Sequence, residues 1–441
     1  MSDSPVFVAR QLKWVAIAAA TWACTLTSAQ TLSELVETAK GYDAPIQAAR
    51  KALEAAQATA DQSQSSLWPS VGLGGGYKLT DTDQNPDGKA RSVTLSATQA
   101  LYNRGNSLLR DQAALGIESA QLKLLEAEQA LMANVSQAYF DLLGARAQLK
   151  VISASKKAAT EQLERAKRNF EVGTSTITDT HEAQAQYDRI VASEIAAQND
   201  ERVKQLALDQ LVGKNNIQPH DLRADVALPS IATQSVDEWV KLGLTNSPQI
   251  KLVKIGLRSA AFEIDKAQAK RLPSVDLKYE YNDLKVIGRN CQLGSPTVCS
   301  NQALTLSASV PLFAGYAIEN GIKAAVANQQ STQAQLEGAQ RNVSQGIRQA
   351  YFGLLSGKSQ IQALQAAVAS SQSALDANKT GYDVGVRINA DVLNAQSQLY
   401  QTEAALTTAR YSLLTGGIKL RQAAGTLSKQ DLAAIDALLQ P

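Results

Sequence analysis

Few residues of this chain could do chemistry, and their types point to charge and cross-linking rather than to bond making. Only two histidines occur among 441 residues. His181 falls just past a helical tip and His220 lies in a polar linker, and neither sits in a nucleophile–base arrangement. Both read as surface residues, and no catalysis is expected. The run 72–76 is glycine-rich, but no Gly-Lys-Ser/Thr follows, so it is not a phosphate-cradling loop. Cys291 and Cys299 stand in a Gly/Ser/Asn-rich stretch. In an exported protein such a pair reads as a disulfide. Two thiols with no histidine nearby make an incomplete metal site, so neither metal nor cofactor is expected. The remaining candidates are Asp179 and Asp391. Each lies in the first turn of a helix, where a carboxylate offsets the positive end of the dipole.

The two aspartates are equivalent because the chain is a tandem duplication. Gln137-Ala138-Tyr139-Phe140-x-Leu142-Leu143 returns as Gln349-Ala350-Tyr351-Phe352-x-Leu354-Leu355, 212 positions later (349 − 137). Asp179 and Asp391 share that offset, as do Val172-Gly173 and Val384-Gly385. Leu67-x-Pro69-Ser70-Val71 has a near-copy in Leu272-Pro273-Ser274-Val275. Any fold must therefore be built from two similar halves.

Proline placement separates the elements. Of 11 prolines, none falls between Pro86 and Pro219 or between Pro311 and Pro441. In the first gap Leu125, Met132 and Tyr139 recur every seven residues, interleaved with Val135, Leu142 and Leu149. In the second, Ile347, Tyr351, Leu354, Ile361, Leu364, Val368 and Leu375 follow the same spacing. A period near 3.5 predicts helices that supercoil around neighbours. One over 104–170 would be about 100 Å long. Each stretch breaks once, at the Val-Gly pair, where glycine can take the positive φ that ends a helix. Two antiparallel helical hairpins follow, with tips near 172–178 and 384–390.

Between the helices lie four alternating segments, predicted as strands. Val71, Leu73, Tyr77 and Leu79 form the apolar side of the first, and Val93, Leu95, Ala97 and Leu101 that of the second. Val275, Leu277, Tyr279 and Tyr281 mark the third, and Leu304, Leu306, Ala308, Val310 and Leu312 the fourth. About ten alternating residues suffice to cross a bilayer when tilted. Polar loops are expected over 81–90 and 285–302. Two hairpins cannot close a barrel, and open strand edges do not exist in lipid, so partner chains are required. On the polar side, the small residues of 72–76 suit a barrel lumen.

The remaining segments give the setting. Arg10 and Lys13 precede a short apolar run over 15–26, which reads as a signal peptide ending near Ala29. Thr21-Trp22-Ala23 before Cys24 is a poor lipidation signal. The balance of 43 Lys+Arg against 41 Asp+Glu shows no basic excess for nucleic acid. A soluble periplasmic coiled-coil adaptor or scaffold would explain the heptads and the leader but not four matched amphipathic strands.

The paired strand starts, Gly381-Tyr382-x-Val384-Gly385 and Val310-Pro311-Leu312-Phe313-x-Gly315 occur in an order that closely resembles the TolC family of outer-membrane channel-tunnels, from about Thr31 onward. The resemblance implies an α+β membrane protein: a trimeric 12-stranded β-barrel, four strands per chain, continued by a 12-helix coiled-coil tunnel in the periplasm of a Gram-negative bacterium. It implies this organisation: signal peptide 1–29; repeat 1 over 30–213, with strand hairpin 70–103 and helical hairpin 104–213; equatorial linker 214–235; repeat 2 over 236–424, with strand hairpin 274–314 and helical hairpin 316–424; and a second equatorial segment over 425–441. The implied function is the exit duct for type I secretion and drug efflux. Its implied partners are outer-membrane lipid, a periplasmic adaptor and an inner-membrane ABC or proton-driven transporter. By resemblance Asp391 faces the periplasmic entrance as a ring of three that favours cations. Asn394 stands where the family has a second aspartate, which implies a weaker filter. Arg387 and Tyr382 match residues that hold the entrance closed, with Thr178 and Asp179 as counterparts. The tips Val172-Gly173 and Val384-Gly385 would meet the adaptor. Tyr316 departs from the family's usual second glycine at the strand-to-helix bend.

Overall fold

The computed structural model describes residues 30–82, 85–223, 235–287 and 297–439; side chains at 80–82, 85–88, 286–287 and 297–299 lie outside the description. The expectations of a signal peptide over 1–29 and of a Cys291–Cys299 disulfide fall outside the described residues.

Each repeat sets one very long helix against two shorter ones. In the first, α1 (Leu32–Tyr42) and α2 (Ala44–Gln64) lead through β1 (Ser70–Thr82) and β2 (Asn85–Tyr102) into α3 (Arg104–Glu171), which turns back as α4 (Ile177–Val212). In the second, α5 (Val236–Asn246) and α6 (Pro248–Ala269) lead through β3 (Ser274–Ile287) and β4 (Thr297–Ser309) into α7 (Ala317–Asp383) and α8 (Asn389–Ala423). A short α9 (Lys429–Asp436) follows. The 68 residues of α3 span about 100 Å. Helix α3 packs against α2 near the strands and against α4 toward the tip, and α7 does the same with α6 and α8.

Most of the heptad residues pack, although Leu125, toward the strand end of the series, is exposed where α3 has less cover. Met132, Val135, Tyr139 and Leu142 are buried on α3 with Leu32 and Leu35 of α1 and Leu432 and Ile435 of α9. Ile347, Leu354 and Ile361 of α7 are buried with Trp239, Leu413 and Leu420. The chain ends are tied to repeat 1: Asp436 accepts from the backbone N–H of Leu32 at 2.8 Å and of Ser33 at 3.1 Å. That satisfies donors that the first turn of α1 leaves free.

The strands form one antiparallel sheet in the order β1-β2-β3-β4, so β2 and β3 join the two hairpins and β1 and β4 are left as edges. The register places Val71, Ala97, Tyr279 and Leu304 side by side, and Leu73, Leu95 and Tyr281 in the next row. Gly72, Ser96, Glu280 and Ala303 share the opposite, mostly polar face. The strands are longer than their apolar stretches, at 13, 18, 14 and 13 residues. The loops expected over 81–90 and 285–302 are therefore shorter, because backbone pairing continues where side chains turn polar. Strand β4 also stops at Ser309, short of Val310 and Leu312, next to Pro311, which has no N–H to donate.

The bend before α7 keeps a left-handed pair despite its tyrosine: Gly315 has φ 59° and Tyr316 φ 62°. For a non-glycine this costs about 1–2 kcal/mol. The Tyr316 ring meets Phe313 edge-on at 5.6 Å.

Candidate functional site

The two hairpin tips are built alike and finished differently. At each, a glycine in the left-handed region ends the long helix: Gly173 at φ 77° and Gly385 at φ 79°. The helix ends are closed by Gly173 N–H to Phe170 O at 3.0 Å and Gly385 N–H to Tyr382 O at 3.0 Å. The apolar residues around them, Val172, Val384, Val386 and Ile388, are exposed.

Restarting the chain separates the two aspartates. At the first tip Thr176 and Asp179 form a complete capping box. Asp179 Oδ2 accepts from Ser175 Oγ at 2.7 Å, Thr176 Oγ1 at 2.8 Å and Thr176 N–H at 2.9 Å. These bonds, the one from Ser175 foremost, hold its carboxyl below the usual carboxylate range, against an opposing push from burial. At the second tip the capping residue is Ile388, which has no side-chain acceptor. Asp391 keeps only a 3.4 Å bond from Ile388 N–H and a 3.7 Å approach to Arg387 Nη1. Asp179 Oδ2 is thus occupied by its own helix cap, whereas Asp391 leaves most of its acceptor capacity unused.

Within one chain, no hydrogen bond or ion pair joins Arg387 or Tyr382 to Thr178 or Asp179. Arg387 turns to Asp391 on its own helix, and Tyr382 packs on Leu375, Val392 and Leu399. Thr178 and Asn394 are exposed. The contact between the tips is made by residues that the motifs did not indicate. Asn389, the first residue of α8, is 0 % exposed. Its Oδ1 accepts from Gln162 Nε2 of α3, and its Nδ2 donates to the backbone oxygen of Asp179 at 3.4 Å. Nearby, Arg165 Nη1 of α3 stands 3.5 Å from Asp383 Oδ1 of α7.

Among the described residues no cluster of His, Cys, Asp and Glu could hold a metal. No described helix is long and apolar enough to cross a membrane. A sheet with one largely apolar face and open edges, carried on rods about 100 Å long whose far ends are tied by polar contacts, defines the class: a channel-tunnel, with a barrel wall at one end and the helical tips at the other.

The comparisons agree. The family described as outer membrane efflux protein matches residues 35–214 and 239–426. Outer membrane protein TolC of Vibrio cholerae is 30% identical over 437 residues, 99% of this chain and 98% of that protein. The alkaline protease secretion protein AprF of Pseudomonas aeruginosa is 27% identical over 362 residues, 81% of this chain and 74% of its own. The solved outer membrane protein VceC of Vibrio cholerae superimposes with a TM-score of 0.74 at 21% identity, over 89% of this chain and 96% of that one. The chain belongs to the outer membrane efflux protein family. It is an outer-membrane channel protein whose helices extend into the periplasm, and the reading as a soluble scaffold falls away.

Proposed function

We propose that this chain works as a homotrimer, an outer-membrane exit duct that is closed at rest by its hairpin tips. One observation carries the reading: the four-stranded sheet has an apolar face and two unpaired edges, β1 and β4. In lipid each unpaired backbone group costs several kcal/mol, so β4 of one chain must meet β1 of the next until the ring closes. Three chains give twelve strands. The relatives divide between efflux and protease secretion by name, so either cargo class suits a passive duct driven from the inner membrane. The exposed apolar tips, Val172-Gly173 and Val384-Gly385, are the surface for a periplasmic adaptor, which couples the duct to an ABC or proton-driven transporter.

Closure rests on two sets of contacts. Within a chain, Asn389 ties α8 to α3 and α4, and Arg165 with Asp383 ties α3 to α7. Between chains, Arg387 and Tyr382 reach Thr178 and Asp179 of the neighbour. Moving the second hairpin away from the first strands a buried amide, at a cost of about 1–3 kcal/mol. Docked partners must offset that cost to open the duct. Three Asp391 carboxylates at the mouth then select cations, with Asn394 adding no charge one turn on.

The test is resting conductance in planar bilayers. Asn389→Leu, which keeps the volume and removes the bonds, is expected to raise it, as is Arg387→Ser with Tyr382→Phe. Trimers that stay as closed as the parent in both variants would refute the gate at the tips.

A further inference from the structure

The outward face of the sheet changes character at its far end. The β1–β2 and β3–β4 turns lie at the ends of the strands opposite the helices. Toward those turns the apolar rows give way. After Leu73–Leu95–Tyr281–Gln302 comes Gly75–Val93–Asp283–Ser300, then Tyr77–Arg91–Lys285–Val298, then Leu79–Lys89–Ile287. On β2 the apolar limit falls at Val93, and on β3 Tyr281 is followed by Asp283 and Lys285 before Ile287.

Just beyond this limit stand three cations. Arg91 and Lys285 are direct cross-strand partners, and Lys89 lies two residues from Arg91 on the same face. All three side chains are exposed, and none has an ion pair or hydrogen bond with another described residue. Directly opposed like charges destabilise a strand pair, so the arrangement calls for an anion. Asp283, one row nearer the apolar band, shares the face, yet it makes no ion pair with Arg91 or Lys285.

We propose that Lys89, Arg91 and Lys285 form a binding site for the phosphate groups of a phosphorylated glycolipid in the outer leaflet. This rests on the sheet being the wall of an outer-membrane barrel. The helices lie in the periplasm, so the turn-side rows stand at the outer surface, level with headgroups. Three cations on neighbouring positions exceed what the single phosphodiester of a glycerophospholipid neutralises. A lipid bearing two phosphates matches them, and charge-assisted bonds from Arg and Lys hold it. The lipid would then brace the β2–β3 seam inside each chain.

The test is lipid titration of the full-length protein in detergent, read by native mass spectrometry, with lipid A and phosphatidylglycerol as probes. Lipid A is expected to bind at least about ten-fold more tightly. Each of Lys89→Gln, Arg91→Gln and Lys285→Gln should weaken lipid A about five-fold, and the triple variant on the order of 100-fold. Asp283→Asn, which removes a like-signed neighbour of the ligand, should strengthen it, and this variant serves if the triple variant does not assemble. Unchanged lipid A affinity in the single variants, equal affinity for phosphatidylglycerol, or displacement by equimolar inorganic phosphate would each overturn the site. A parent protein that carries no detergent at all would instead overturn the barrel wall, and the same spectra tell the two failures apart.

Discussion

In repeat 1, Phe140 of the Gln-Ala-Tyr-Phe motif is 1 % exposed; in repeat 2 the same residue of the same motif, Phe352, is 53 % exposed. The neighbouring leucines follow suit, with Leu143 buried and Leu355 exposed. Identical letters at identical helical phase thus meet different surroundings. Around Phe140 the chain supplies α1, α9 and Tyr411, whose ring centre lies 6.1 Å away. Around Phe352 it supplies only part of a cover, beside a groove of about 700 Å³ lined by Leu244, Arg341 and Arg348. One repeat is finished by its own chain, and the other is left partly uncovered. The duplication therefore yields two halves that are alike in fold and unlike in what they need.

Substitutions at the paired positions should split accordingly. The largest effect is expected for Phe140→Ala, a loss of about 3–5 kcal/mol read as a lowered unfolding temperature. Phe352→Ala should leave the chain folded and instead weaken its assembly, measured as earlier dissociation of crosslinkable trimers on heating in detergent. Equal unfolding losses at both sites would erase the distinction drawn between the repeats. A smaller contrast is expected at the tips. Asp179→Ala removes a full cap and should cost about 1 kcal/mol locally, whereas Asp391→Ala should cost less. Hydrogen exchange across 172–180 and 384–392 reads both. The same Asp391→Ala variant should lower cation preference in planar bilayers; unchanged selectivity would return Asp391 to a purely capping role. The acid response of the first tip follows from the lowered pKa of Asp179. Its stabilising share is complete above the unfolded value of 3.8 and is lost as pH falls through the lower folded one. Faster exchange at 172–180 below that range, absent in Asp179→Ala, checks the sign. The smallest change is expected for Tyr316→Gly, a gain of about 1 kcal/mol in the bend, seen as slightly later unfolding.

What could be read beforehand follows from what is periodic. Met132, Tyr139, Ile347 and Leu354 announced their burial because a helix repeats its face every few residues, and Val71 to Leu79 announced a strand by alternation. Both Val-Gly pairs marked tips because positive φ needs glycine. The length of strand pairing was not legible, since the backbone ladder at Lys89 and Lys285 continues without apolar side chains. Nor was the tie at Asn389, which depends on Gln162 lying 227 residues away yet next to it in space. The different fates of Phe140 and Phe352 were equally hidden, because α9 covers one copy of a motif that reads the same twice. At the bend, Tyr316 shows that a demanded backbone shape can persist with an unfavourable residue when its ring finds Phe313.

Because β2 pairs with β3 inside the chain, each subunit brings a finished panel, and the wall has a joint only where β4 meets a neighbour's β1. Such a head-to-tail ring tolerates no faulty panel. Where intact and edge-damaged subunits are made in equal amounts and mix freely, only about one ring in eight is sound. Damage to either outer strand should therefore behave as a dominant trait in cells that also carry an intact copy, while damage confined to the extracellular turns should be recessive.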